Sequence, residues 1–80
     1  MRATAFVLVN VSMGSARAVY EKLRALDQVQ QAHAITGPYD IIVTIEGNDY
    51  NEIAWVVIDK IQTIDGVTST LTCNVVNLEV

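Results

Sequence analysis

Eighty residues, 51% of them hydrophobic at a mean hydropathy of +0.33, make one small domain over residues 1–80 and exclude a disordered chain. One cysteine and one histidine exclude an internal disulfide, a four-ligand Cys/His zinc site and a two-cysteine redox motif. Five Lys+Arg against nine Asp+Glu, a net charge of −4 with no basic run, exclude an autonomous nucleic-acid-binding domain, which must neutralise several phosphates.

The opening Met1-Arg2-Ala3-Thr4 leads straight into an apolar segment too short for a signal peptide or a membrane span, so a cytoplasmic chain with no membrane partner is expected. Thr4 to Val11 is nearly continuous and rich in β-branched residues, which predicts a strand buried on both faces. After the break at Ser12-Met13-Gly14-Ser15, apolar residues recur at Ala16, Val19, Tyr20, Leu23 and Leu26, the spacing of an amphipathic helix. Val29 to Thr36 reads as a more polar second strand. Gly37-Pro38-Tyr39-Asp40 supplies a turn, and Ile41 to Glu46 a third, apolar strand.

Asp49 followed by Glu52 has the form of a capping box and starts a second helix over about Tyr50 to Thr63, with an inward stripe of Ile53, Ala54, Val57, Ile61 and Ile64. Asp65-Gly66 ends it. Val67 to Leu78 reads as a last strand, with Val67, Leu71, Cys73 and Val75 inward and Thr68, Thr70, Thr72 and Asn74 outward.

The halves repeat: Lys22 to Val29 aligns with Lys60 to Val67, so that Leu26 and Ile64 lie 38 positions apart. A duplicated strand-helix-strand of this kind predicts an α+β, ferredoxin-like βαββαβ two-layer sandwich, its four-stranded antiparallel sheet in the order 4-1-3-2. Both helices pack on one sheet face, yet the apolar strands point large side chains to both. Phe6, Leu8 and Ile42 then face outward, and a homodimer with sheet packed on sheet is expected. Four or five such side chains, each burying ~80–100 Å², would contribute ~8–12 kcal/mol gross per chain. Trp55 lies about 160° from the inward stripe. It sits either half-buried under the tail Asn77-Leu78-Glu79-Val80 or at a contact between dimers.

No phosphate loop, nucleophile with its base, or carboxylate pair is evident, so no catalytic residue, metal or cofactor is assigned. His33 reads as a structural residue of an edge strand, and Cys73 as a small core hydrophobe. The turn Gly37 to Asp40 and the hydroxyl run Thr68-Ser69-Thr70-Leu71-Thr72 lie on opposite sheet edges. Asp40 suits an ammonium, while amides near Gly37 and threonine hydroxyls suit a carboxylate, together the head of an amino acid. Residue types alone favour the plainer reading of a hairpin turn and an edge strand kept soluble by threonine.

The run Val29 to Asp40 with its Gly-x-Tyr-Asp turn, Ile41-Ile42-Val43, and Gly66-Val67 followed by Thr70-x-Thr72 resemble the effector-binding (RAM) module of the Lrp/AsnC family of feast/famine transcriptional regulators. The resemblance implies a homodimer, dimers assembling into an octamer or decamer, and an amino acid effector held between dimers. It maps ligand contacts onto Gly37, Tyr39 and Asp40, and onto Ser69, Thr70 and Thr72. Family regulators carry an N-terminal helix-turn-helix domain, whereas this sequence opens at the first strand of the effector module. A stand-alone, non-enzymatic sensing and oligomerisation module is therefore expected, acting on transcription through full-length regulators without touching DNA. A small enzyme of the dimeric α+β barrel type, using His33, Asn10 or Trp55, and a pure assembly adaptor are the alternatives.

Overall fold

A computed structural model of the chain describes residues 2–79; Met1 and Val80, which begin and end the terminal segments named above, lie outside the described residues. The β-branched runs form β1 (Ala3–Val11) and β3 (Ile41–Gly47), paired antiparallel at the centre of the sheet. β2 (Val29–Ala34) and β4 (Val67–Asn74) form the edges, giving the order β2-β3-β1-β4, the predicted order read from the other side. Alternation decides which face is which. Ala5, Val7 and Val9 of β1 and Ile41, Val43 and Ile45 of β3 are buried beneath the helices, and their even-numbered neighbours face the other way.

The first helix, α1 (Ala16–Arg24), buries Val19 and Leu23 in that core. The second, α2 (Tyr50–Val56), starts where Asp49 accepts a hydrogen bond from the Glu52 amide at 2.8 Å through its side chain. The Glu52 carboxylate reaches one residue further back than a capping box requires and accepts from the Asn48 amide. From Val57 to Ile61 the helix widens into a π turn, with the Gln62 amide bonded to the Val57 carbonyl at 2.8 Å. This corrects the predicted stripe. The buried residues are Ile53, Val56, Val57 and Ile61, and Ala54 is exposed. A π turn advances fewer degrees per residue than an α turn, which brings Ile61 back into line with Ile53 and Val57 and rolls Ala54 outward.

The repeat is written in the backbone. The pairs Leu26 to Leu23 and Val29 to Leu26, each 3.1 Å from amide to carbonyl, recur as Ile64 to Ile61 at 3.0 Å and Val67 to Ile64 at 3.1 Å. Each edge strand also carries a register shift at the same place, between Val29 and Gln31 in β2 and between Val67 and Ser69 in β4. The shift in β4 overturns the alternation expected there. Val67 packs against the core, but beyond the bulge Leu71 and Cys73 turn to the open face, while Thr70, Thr72 and Asn74 turn to the helix side. Cys73 is exposed and is not a core residue. Pairing with β1 ends near Val75, whose amide bonds the Thr4 carbonyl at 2.9 Å, and the predicted strand does not extend to Leu78.

Candidate ligand site and assembly surface

At the β2–β3 turn, Gly37 sits at φ +145°, a conformation that favours glycine. The turn closes through the Ile35 amide and the Asp40 carbonyl at 2.9 Å, and the Gly37 and Tyr39 amides have no partner among the described residues. Asp40 is fastened to β1 twice. Its amide donates to the Val9 carbonyl at 3.0 Å, and its Oδ2 accepts from the Val11 amide at 2.9 Å in a partly buried position. One carboxylate oxygen is thus committed to holding the end of β1. The other has no hydrogen-bond partner among the described residues.

Of the predicted hydroxyls, Thr70 and Thr72 face the helix side of β4, and Ser69 faces the opposite side, where Asn10 Nδ2 donates to its Oγ at 3.4 Å. Thr70 Oγ1 accepts from Gln62 Nε2 at 2.9 Å, a partner the sequence pattern does not signal. Thr70 is paired with Val9, the residue whose carbonyl also receives the Asp40 amide, so Asp40 and Thr70 flank the same stretch of β1, roughly 10 Å apart at two strand spacings. Within one chain the turn and the threonines share an end of the sheet without touching.

The face away from the helices carries Phe6, Leu8, Ile42 and Leu71 in adjacent register, with Phe6 42% and Leu71 46% exposed. Trp55 is 51% exposed on the outer side of α2, with Lys60 Nζ 5.4 Å from its ring centroid. Ahead of the tail, the Val75 carbonyl accepts a hydrogen bond from the Tyr50 hydroxyl, and Asn77, Leu78 and Glu79 line a surface depression with Arg2, Thr4 and Tyr50. His33, across from Ile42, and Asn10 point to the open face while Trp55 points outward from the helix layer, so the three do not converge. Among the described residues no cluster of three or more His, Cys, Asp or Glu could hold a metal ion, and no helix is long and apolar enough to cross a membrane.

A four-stranded antiparallel sheet under two helices, with a polar turn and hydroxyl-bearing edge around an uncovered apolar face, defines a ferredoxin-like α+β module. The model of the Lrp/AsnC ligand binding domain matches residues 4–78, and the chain belongs to that family. The chain is 37% identical over 54 residues to the uncharacterised HTH-type transcriptional regulator YugG of Bacillus subtilis, a match covering 68% of this chain and 32% of YugG. It spans about a third to a half of the length of the curated regulators it matches. The structure of Escherichia coli AsnC superposes at a TM-score of 0.88 with 30% identity, over 98% of this chain and 53% of that one. TTHA0845 of Thermus thermophilus superposes at 0.89 with 32% identity, over 94% of each chain. A Neisseria meningitidis transcriptional regulator solved with L-Met, NMB0573, shares the fold at 0.85 with 23% identity, over 96% of this chain and 51% of that one.

Proposed function

We propose that this chain is a non-enzymatic amino acid sensing and oligomerisation module that modulates transcription through full-length Lrp/AsnC-type regulators in the cytoplasm. Two copies pack through the open sheet faces, burying Phe6, Leu8 and Ile42. Dimers assemble further into an octamer or decamer, with Trp55 at contacts between them. An amino acid effector is held between dimers by Gly37, Tyr39 and Asp40 of one chain and Thr70 and Thr72 of another, with Ser69 at the margin. No cofactor is used, and with a net charge of −4 these 80 residues do not themselves bind DNA.

The observation that carries this reading is the separation of the two polar segments: the turn and the threonines share an end of the sheet but are kept apart by β1, so a site using both forms between chains. The uncovered apolar face supplies a reason for chains to associate. The family's description as a ligand binding domain supports the sensing role, and the L-Met complex of NMB0573, alike in fold alone, makes amino acids the first ligands to try. The test is a thermal-shift screen of the twenty amino acids at fixed chain concentration. A ligand at a hundred times its Kd that binds only the folded state adds about 2.7 kcal/mol. Stabilisation by at least one amino acid is expected, and its absence for all twenty refutes the sensing role.

A further inference from the structure

Across the open face of the sheet, one residue from each strand falls in a single row. His33 of β2 is paired with Ile42 of β3, Ile42 with Leu8 of β1, and Leu8 with Leu71 of β4. The next row runs Gln31, Thr44, Phe6 and Cys73. Residues paired across a sheet point their side chains to the same face. The chain's single histidine therefore stands, exposed, at the end of a line of three large aliphatic residues on the face that the helices leave uncovered.

We infer that His33 makes the sheet-on-sheet dimer sensitive to pH: two copies associate with the imidazole neutral, and protonation of His33 drives them apart. The inference rests on the dimer proposed above and adds its regulation. Histidine is the side chain whose charge ordinarily changes between about pH 5 and 8. Two stacked sheets lie about 10 Å apart, with their side chains filling the space between and little room for water. A neutral imidazole tolerates that setting, whereas an imidazolium loses its hydration and needs an anion in exchange.

The charged groups around His33 offer none. In aligned packing, a two-fold axis between the sheets runs either along the strands or across them, and it sets β2 of one copy against β4 or β2 of the other. On this face β4 carries Ser69, Leu71 and Cys73, and β2 carries Gln31 and His33, so neither arrangement meets the histidine with a carboxylate. The second sets the two histidines of the dimer on facing strands. Within its own chain, β1 brings no charged residue to the face, and Glu46 lies four residues along β3 from Ile42, roughly 13 Å, and is paired with Arg2 at 3.4 Å. Asp40 is nearer, two residues before Ile42 and diagonal to His33, but one oxygen is held by the Val11 amide at 2.9 Å. It stands beside His33 in the single chain and in the dimer alike, so its attraction is not gained on association.

The sign follows from the uptake of a proton on separation. Association is strongest above the range in which histidine titrates and weakens as pH falls through it. Each histidine that must give up its proton to associate raises Kd by about tenfold per pH unit below that range, and a dimer contains two.

The test is sedimentation equilibrium of the full chain at about pH 7.5 and about pH 5.5, at one ionic strength, in the parent, His33→Gln and His33→Leu. Both variants change an exposed position of an edge strand, and far-UV circular dichroism at each pH confirms that they are folded. The parent is expected to have a dimer Kd at least about tenfold higher at the lower pH, while the two variants, which cannot be charged, differ by less than about twofold between the two conditions. A parent Kd that is unchanged or lower on acidification, or an equal rise in His33→Gln and His33→Leu, would overturn the role of His33 and leave the dimer standing. A parent that is monomeric at micromolar concentration at the higher pH would overturn both.

Discussion

Replacing Asp40 by alanine separates what this carboxylate does for the fold from what it does for a ligand. Its Oδ2 accepts from the Val11 amide at 2.9 Å in a partly buried setting, at the point where β1 leaves the sheet. A hydrogen bond to a charged group contributes about 1.5–3 kcal/mol, and removing the acceptor leaves the Val11 N–H unpaired. Taking about 2 kcal/mol, and about 4–8 °C per kcal/mol for a domain of this size, Asp40→Ala should unfold about 8–16 °C below the parent. Asp40→Asn keeps an oxygen in place without the charge, and since charge-assisted bonds are roughly twice as strong as neutral ones it should fall between them. Differential scanning calorimetry at matched chain concentration, without ligand, reads the order directly. A midpoint for Asp40→Ala within about 2 °C of the parent, or an Asp40→Asn chain that melts below Asp40→Ala, would refute the argument. The consequence for ligand work is concrete: lost binding in Asp40→Ala mixes both effects, and comparing it with Asp40→Asn, which keeps more of the Val11 bond, gauges how much of the loss comes from the fold.

A second pair of variants sets conformation against crowding. Gly14 and Gly66 both have positive φ, +85° and +100°, but an added Cβ meets nothing at Gly14 and lies 2.9 Å from Ser15 Cβ at Gly66. Gly14→Ala should cost about 1 kcal/mol and Gly66→Ala about 2 kcal/mol more in urea unfolding, and equal costs would rule out the steric contribution. Phe6→Asp places a charge on the open face and is expected to shift light-scattering mass from dimer or larger to monomer at micromolar concentration; an unchanged mass would exclude that face as the contact. Asp49→Ala removes the cap on Glu52 and should cost about 1 kcal/mol of stability, read from the same urea titration.

The order of elements was legible because each strand and helix kept its own period of hydrophobicity over several turns, and the duplication doubled every signal. Two features were not. The bulge in β4 contains no glycine or proline at Thr68, so nothing in the pattern marks the place where alternation reverses, and Leu71 and Cys73 read as inward. The π turn likewise leaves no local signature. Val56 becomes buried and Ala54 exposed because the helix unwinds to keep Val57 and Ile61 both in the core. For the site, the turn residues and Thr70 and Thr72 were legible as chemistry, while Gln62 was hidden because its partner lies on an edge strand eight residues away.

The same duplication explains why those two misread features matter together. In both halves the register shift falls at equivalent positions, Val29/Gln31 and Val67/Ser69, so the bulge belongs to the repeated unit and sets which residues of each edge strand face its helix. In the first half that brings Ala32 and Ala34 under a helix that lies close along the strand, with Tyr20 packed against the core. In the second it brings Thr70 and Thr72, and helix two, which begins earlier than α1 by four positions of the repeat and carries the π turn, stands beside them with a groove between. Small residues and a filling tyrosine on one side, hydroxyls and an exposed isoleucine on the other, are one geometric device used for packing in one half and left unfilled in the other. A variant that imports the first solution into the second, Ile58→Tyr, should therefore close the groove of about 340 Å³ and raise stability in urea unfolding; an unchanged or lower stability would mean that the two edges are not equivalent in energy, whatever their backbones share.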